Sequence, residues 1–382
     1  MASYADRLTR FQESIGGQAD LVFFPMGTDL DYLTGIHRDI PNYGRNLHPG
    51  MWLEGAWIAP GRDPILTVPR MTAEFGAPGG LDAFDVRVLG DWDDPEEMVR
   101  GILAEVGLGD SPVIAVSDNA EAESLIELQK LRPGVRFASG TGMLRPIRVI
   151  KDEGEIEKMR KAGAVTEAAF AETVKKMAPG MTELEVLSEL DYQMKAHGSL
   201  GPSFTTSMYN TGPDISLEFG DKLKSWPRKL TPGTSVLFDF GAVLDGMCYD
   251  YGRTAVIGEP SDEQVKVHRL IMESQAAGIA ALKAGAVTCE EVDKAARDVL
   301  DDAGYGHAFR HRLGHAIGWD VHEPPFLTKG DTTQVEEGMI FTIEPSIFQD
   351  GGVSARVEDC IVARPDGGEK LTTGNQDLIV VA

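Results

Sequence analysis

Five side chains able to hold a metal ion stand in the C-terminal part of this 382-residue chain. Asp239 and Asp250 share the stretch VLFDFGAVLDGMCYDYGRT, His315 lies in HRLGHAIGWDVHEPP, Glu344 closes the apolar run MIFTIEP, and Glu358 sits inside ARVEDCIVA. Four of the five are acids at or within apolar, strand-like segments. An unpaired buried carboxylate costs several kcal/mol, so cations are the expected partners. Four carboxylates carry a charge of about −4 and a neutral histidine adds none. Two divalent ions balance them, whereas one leaves about −2 in a medium of low dielectric constant. An oxygen-rich set with one nitrogen suits Mn²⁺, Co²⁺, Fe²⁺ or Zn²⁺ rather than a metal selected by thiolates. Paired ions ~3.5–4 Å apart serve hydrolysis, because they acidify water and polarise a carbonyl.

The elements that must position these groups are strands. Asp245-Gly246 reads as a two-residue hairpin turn. In that register Leu244 faces Met247, Asp239 faces Gly252, and Asp250 projects from the same side as Asp239. Diagonal neighbours of this kind lie ~7–8 Å apart, close enough to share an ion, and Gly252 has no side chain to fill the gap. A slip of one residue would undo the arrangement. Each residue also has a plainer reading: Asp239 and Glu344 as strand-end acids, Asp250 as an exposed polar position, Glu358 as the salt-bridge partner of Arg356. The histidines favour a site, since His311, His315 and His322 gather beside Gly314 and Gly318.

The rest of the chain reads as two domains, 1–148 and 149–382. In the first, strands and helices alternate in an α/β pattern. Helices fit residues 3–16, PEEMVRGILAEVG and AEAESLIELQKL. Strands fit 20–25, DYLTGI, MWLEGAWIA, PILTV and SPVIAV. No glycine-rich phosphate loop is present. A charged amphipathic helix follows RPIRVIKDEGEIEKMRKA and ends before Pro179 and Gly180. Thr182 and Glu185 form a capping-box pattern for the next helix. TELEV (182–186) is echoed by TCEEV (288–292), each after a glycine and each ahead of a segment with candidate ligands. Such an echo fits either shared capping chemistry or a pseudo-two-fold domain with its site between the halves.

Bulk properties narrow the class. The net charge of −24 argues against nucleic acid or an anionic membrane as partner. No apolar run reaches the ~20 residues of a membrane span, and the N-terminus carries no apolar leader segment. Three scattered cysteines, Cys248, Cys289 and Cys360, offer neither a disulfide framework nor a thiolate zinc site. A reducing cytoplasm is expected.

Together these segments resemble the pita-bread metallopeptidase family of prolidase, aminopeptidase P, methionine aminopeptidase and creatinase. DFGAVLDGMCYDYGRT is similar to its two-aspartate motif, HRLGHAIGWDVHEPP to its histidine motif, and GMIFTIEPSIF and ARVEDCIVA to its two glutamate motifs. The resemblance implies an α+β chain, with a C-terminal pita-bread catalytic domain of pseudo-two-fold symmetry and a smaller N-terminal α/β creatinase-like domain. It implies two divalent metal ions, Mn²⁺ foremost, held by Asp239, Asp250, His315, Glu344 and Glu358, with Asp250 and Glu358 bridging. A metal-bridging hydroxide would be the nucleophile. Glu344 would also pass protons, His311 and His322 would contact substrate and the tetrahedral intermediate, and Arg356 would support the site. It further implies a homodimer. Residues 37–57, HRDIPNYGRNLHPGMWLEGAW, with Arg45 and His48, are expected either to reach a neighbouring subunit's pocket or to form an ordinary surface loop.

One departure bears on substrate. Family members that act on proline peptides place a histidine in a Pro-His context before the first ligand aspartate, whereas residues 200–238 here contain none. Phe219 or Glu218 is expected at the equivalent place, with Lys222, Lys224 or Trp226 as substitutes. Three readings follow. The leading one is an Xaa-Pro dipeptidase or aminopeptidase. The second is a same-fold enzyme for a small non-peptide compound such as a cyclic amide, an osmolyte or a sulfonium compound. The third is an inactive binding protein.

Overall fold

Apolar runs bounded by turn residues set the strands, and capping boxes open helices such as Glu153–Lys176 and Asp262–Ala281. A computed structural model describes residues 3–37, 48–76, 84–213 and 215–382. These divide into two compact units, residues 2–148 and 149–382.

The N-terminal unit is built on a mixed six-stranded sheet. Its order is Asp85–Leu89, Ile65–Pro69, Gly55–Ile58, Leu21–Pro25, Val113–Val116 and Arg136–Ser139. The central strand Leu21–Pro25 runs antiparallel to Gly55–Ile58 and parallel to Val113–Val116, with Leu21 through Phe24 fully buried. Helices Tyr4–Ile15, Pro95–Val106 and Ala122–Leu131 fall where the periodicity puts them. Two readings are corrected. DYLTGI is no strand, because Thr28–Thr34 is a helix closed by Gly35 in the left-handed region (φ 75°). Its six residues alternate too briefly to declare a period. Asp29, 5% exposed, ties the helix down by accepting from Arg148 at 2.9 Å and from Ser117 at 2.8 Å. MWLEGAWIA splits into a 3₁₀ turn, Met51–Leu53, and a strand, Gly55–Ile58. A side chain at Gly55 would meet the Phe24 carbonyl oxygen at 2.2 Å.

The C-terminal unit contains two helix pairs, each followed by a sheet. Helices Glu153–Lys176 and Glu183–Ala196 precede a four-stranded sheet ordered Ile379–Val381, Tyr251–Ile257, Ser235–Phe240, Ser207–Thr211. Helices Asp262–Ala281 and Cys289–Asp302 precede a five-stranded sheet ordered Glu323–Leu327, Gly314–Ala316, Ile340–Ile343, Asp359–Arg364, Gly367–Lys370. The echoed segments cap the second helix of each pair in the same way, Thr182 with Glu185 and Thr288 with Glu291. An antiparallel bridge, Gly252 to Glu358, joins the two halves. The second half's core includes Val292, Leu313, Phe341, Ile343, Val357 and Ile361, all completely buried. Among the described residues no helix is long and apolar enough to cross a membrane.

Candidate active site

The hairpin has the register that its turn dictates. Asp245 (φ 50°) and Gly246 (φ 79°) both adopt the positive φ of a two-residue turn. Leu244 then pairs with Met247, and Asp239 with Gly252. Because Gly252 also bridges to Glu358, Asp239, Gly252 and Glu358 form one row across three strands. Asp250, two residues from Gly252, projects from the same face. A Cβ on Gly252 would lie 2.9 Å from the Glu358 Cβ and 3.0 Å from its Oε2, so the empty glycine position is what lets Glu358 reach the row.

The other half delivers His315 and Glu344. His315 stands on Gly314–Ala316, whose neighbour Ile340–Ile343 ends one residue before Glu344. His315 Nε2 lies 3.7 Å from Asp250 Oδ2 and 3.6 Å from Glu344 Oε1. Its Nδ1 faces the Ala316 carbonyl at 3.1 Å, which places the proton there and leaves the Nε2 lone pair facing the acids. Ligand atoms of Asp239, Asp250 and Glu358 gather within 4.8 Å of one another, as do those of His315, Glu344 and Glu358. His322 forms a further such trio with Asp250 and His315. All five residues expected to hold metal are thus brought together.

The electrostatics fit a cation site. Asp250, His315 and Glu358 are 3%, 1% and 1% exposed. Burial, then the charges of neighbouring acids, pushes the Asp250 and Glu358 carboxyls well above the usual range. Burial raises Glu344 to about 7 against the opposing pull of Arg356. Burial, reinforced by His322, lowers His315 to about 3, so its imidazole is neutral. Asp250 Oδ1 and Glu358 Oε2 are buried without a hydrogen-bond partner among the described residues, as expected of atoms built to meet an ion. Four acidic oxygen donors and one neutral imidazole fit divalent cations of the Mn²⁺, Co²⁺, Fe²⁺ or Zn²⁺ kind.

Arg356 is more deeply engaged than its expected supporting part. Its Nη1 pairs with Asp239 and lies 3.7 Å from Glu358 Oε2, its Nη2 lies 3.2 Å from Glu344 Oε2, and its Nε donates to Ser346 Oγ at 2.8 Å. The salt-bridge reading of Glu358 and its place in the acid cluster therefore both hold. With this guanidinium inside, the side chains sum to about −3 rather than −4, so two divalent ions would leave the site attractive to an anion.

Around the acids lies a pocket of about 690 Å³, lined also by Phe204, Ser207, Tyr209, Arg312, Phe326 and Thr328 and by His311 and His322. Arg312 Nη2 donates to His322 Nδ1 at 3.2 Å. Arginine can only donate, so His322 carries its proton on Nε2. His311 faces the Arg312 carbonyl through Nδ1 at 2.7 Å, leaving Nε2 as a buried acceptor without a partner among the described residues. Burial lowers His311 to about 3, so it too is neutral.

Ser207, Tyr209 and Arg312 were not identified from sequence. Ser207 and Tyr209 alternate on the strand beside Asp239, a signal legible only once that pairing is known. Of the residues expected in place of the missing histidine, Glu218 is bound to Lys224 and Arg228. Phe219 packs tilted against Tyr209 and edge-on to Phe348, with ring centroids 5.1 and 5.2 Å apart. Arg45 lies outside the described residues, and His48 Nε2 lies 3.5 Å from Glu54 Oε2.

The chain matches the model of Metallopeptidase family M24 over residues 157–365. It is 30% identical over 359 residues to the putative dipeptidase YkvY of Bacillus subtilis, covering 92% of each chain. It is 36% identical over 263 residues to an Xaa-Pro dipeptidase of Lactobacillus helveticus, covering 68% of this chain and 70% of that one. Its fold is similar to the crystal structure of a prolidase from Thermococcus sibiricus, with a TM-score of 0.86 at 26% identity over the whole of both chains.

Proposed function

The chain belongs to metallopeptidase family M24 and is a metal-dependent peptidase, and we propose that it cleaves Xaa-Pro dipeptides. Its fold is the pita-bread architecture with a smaller N-terminal domain, as in prolidases. The observation that carries the reading is the row Asp239–Gly252–Glu358, joined by Asp250, His315 and Glu344, with two buried carboxylate oxygens left unsatisfied. In this proposal these five side chains hold two divalent ions, Mn²⁺ foremost. When bound, such ions supply charge that acidifies water and polarises the scissile carbonyl.

The remaining work falls to the chain's own groups. Glu344 takes at a carboxylate oxygen the proton released by the attacking water and returns it to the leaving amine. His322 donates from Nε2 to the developing oxyanion. His311 accepts an N–H of the substrate at Nε2. Arg356 holds Asp239 and Glu344 in place and balances part of their charge. We further propose a cytoplasmic homodimer. Its peptide-sized pocket and net charge of −24 suit small peptides rather than nucleic acid or membrane as partners.

The test is metal content and turnover in two variants. Asp250→Ala and Glu358→Ala should each lose bound metal by elemental analysis and lose hydrolysis of Ala-Pro while remaining folded. Either variant retaining full metal content would contradict the assignment. Failure of the metal-loaded wild type on Ala-Pro and Gly-Pro, with turnover of a cyclic amide or another small compound, would move the substrate outside peptides.

A further inference from the structure

We propose that Lys222 is the anchor for the substrate's C-terminal carboxylate, which would make the enzyme select dipeptides over longer peptides and amides. This inference rests on the Xaa-Pro reading above and names the group, bound to the pocket-lining Ser207, that would fix the substrate's free end.

Three observations point to it. Lys222 Nζ donates to Ser207 Oγ at 2.8 Å, and Ser207 lines the catalytic pocket. Among the described residues Lys222 forms no ion pair with a carboxylate, whereas its neighbours Lys224 and Arg228 both pair with Glu218. An ammonium has three donors, so Lys222 keeps two beyond the one given to Ser207. The nearby buried Glu183 feels the Lys222 charge but makes no ion pair with it.

The sheet register sets the distance. Ser207 is the cross-strand partner of Asp239 and projects from the same face. Adjacent strands are ~4.8 Å apart, and one residue of extended chain spans ~3.5 Å. A scissile carbonyl held near Asp239 therefore puts the terminal carboxylate of a single following residue within reach of Ser207 and the Lys222 ammonium. A tripeptide or an amide brings no charge to that point.

Of the cations that line the pocket, Arg356 is committed and Arg312 is the rival anchor. Arg356 is paired with Asp239, Glu344 and Glu358. Arg312 lies over the Phe326 ring, 4.6 Å from its centroid, and donates to His322 Nδ1. Lys224, 60% exposed in its side chain, is bound to Glu218 and serves as the control.

The experiment uses the full metal-reconstituted chain as wild type, Lys222→Met, Lys222→Arg, Lys224→Met and Arg312→Met. Each is assayed on Ala-Pro and Ala-Pro amide and titrated calorimetrically with L-proline and L-prolinamide, so that carboxylate preference is read with and without turnover. A hydrogen bond to a charged group is worth roughly a 10- to 100-fold preference. Lys222→Met should raise KM for Ala-Pro by about that factor, with a smaller change in kcat, and bring the proline-to-prolinamide preference toward one. Lys222→Arg should recover part of it, and Lys224→Met should behave as wild type. An unchanged preference in Lys222→Met, or its loss in Arg312→Met alone, overturns the anchor while leaving the peptidase reading intact. Loss of the binding preference in Lys222→Met supports the anchor even if wild type hydrolyses neither Ala-Pro nor its amide, a result that would overturn only the peptidase reading.

Discussion

Gly252→Ala tests the geometry that joins the two halves of the site. The glycine is extended rather than left-handed, so alanine brings no backbone strain and should gain about 0.5–1 kcal/mol from a less flexible unfolded chain. Against this, the added Cβ would sit 2.9 Å from Arg356 Cδ, 2.9 Å from Glu358 Cβ and 3.0 Å from Glu358 Oε2. Arg356 can swing, but the Glu358 Cβ is fixed by the backbone bridge, whose two hydrogen bonds are 3.2 and 2.9 Å long. Overpacking of this kind costs about 1–3 kcal/mol, so the net loss should be up to about 2.5 kcal/mol in denaturant unfolding with excess chelator. The larger effect should fall on metal, because displacing Glu358 spoils the donor geometry. A disturbance in the supporting shell already costs about 10- to 100-fold in affinity, and a displaced ligand at least that. Competition against a fluorescent chelator reads this directly. Gly101→Ala is the control, since its Cβ meets nothing within 4 Å on the helix Pro95–Val106 and should stabilise by about 1 kcal/mol. Wild-type stability and metal affinity in Gly252→Ala would refute the close packing of the two halves around this residue.

Other consequences follow from single residues. Glu183 is 1% exposed, and burial raises its carboxyl from 4.5 to about 7. A raised carboxylate pKa favours the protonated folded form, so the penalty is absent below 4.5, grows as pH rises and is complete above 7. Glu183→Gln should therefore stabilise by up to about 3 kcal/mol at pH 8 and hardly at all at pH 4.5; equal effects at both pH values in urea melts would exclude this origin. Asp359 and Arg253, each 1% exposed, pair at 2.8 Å. Asp359→Ala should cost about 3–5 kcal/mol by stranding a buried guanidinium, and a loss under 1 kcal/mol in denaturant unfolding would speak against it. His322→Phe should lower kcat on Ala-Pro by about 10²–10³ with less change in KM if Nε2 serves the oxyanion; a change confined to KM would assign it to ground-state binding.

Much of the site was legible because local chemistry fixed it. The Asp245-Gly246 turn set the register, and the register alone put Asp239 opposite Gly252 and Asp250 on the same face. Adjacent acids Glu358 and Asp359 then take opposite faces, one turned to the site and one to Arg253. The Gly252–Glu358 bridge was not legible, since it joins strands that no turn connects. For the same reason the sequence offered Lys222, Lys224 and Trp226 as equals, and only the packing separates a lysine bound to Ser207 from one bound to Glu218. DYLTGI misled because its own pattern is too short to declare a period, and the helix that contains most of it is anchored from outside the segment, where Asp29 accepts from Arg148.

The central claim is that these carboxylates and His315 act by holding divalent metal against an Xaa-Pro bond. Its most direct test is the rate of Ala-Pro hydrolysis by chelator-stripped protein before and after addition of Mn²⁺. Stripped protein should show no measurable turnover and regain it on addition, whereas undiminished turnover by fully stripped protein would rule out a metal-dependent reaction.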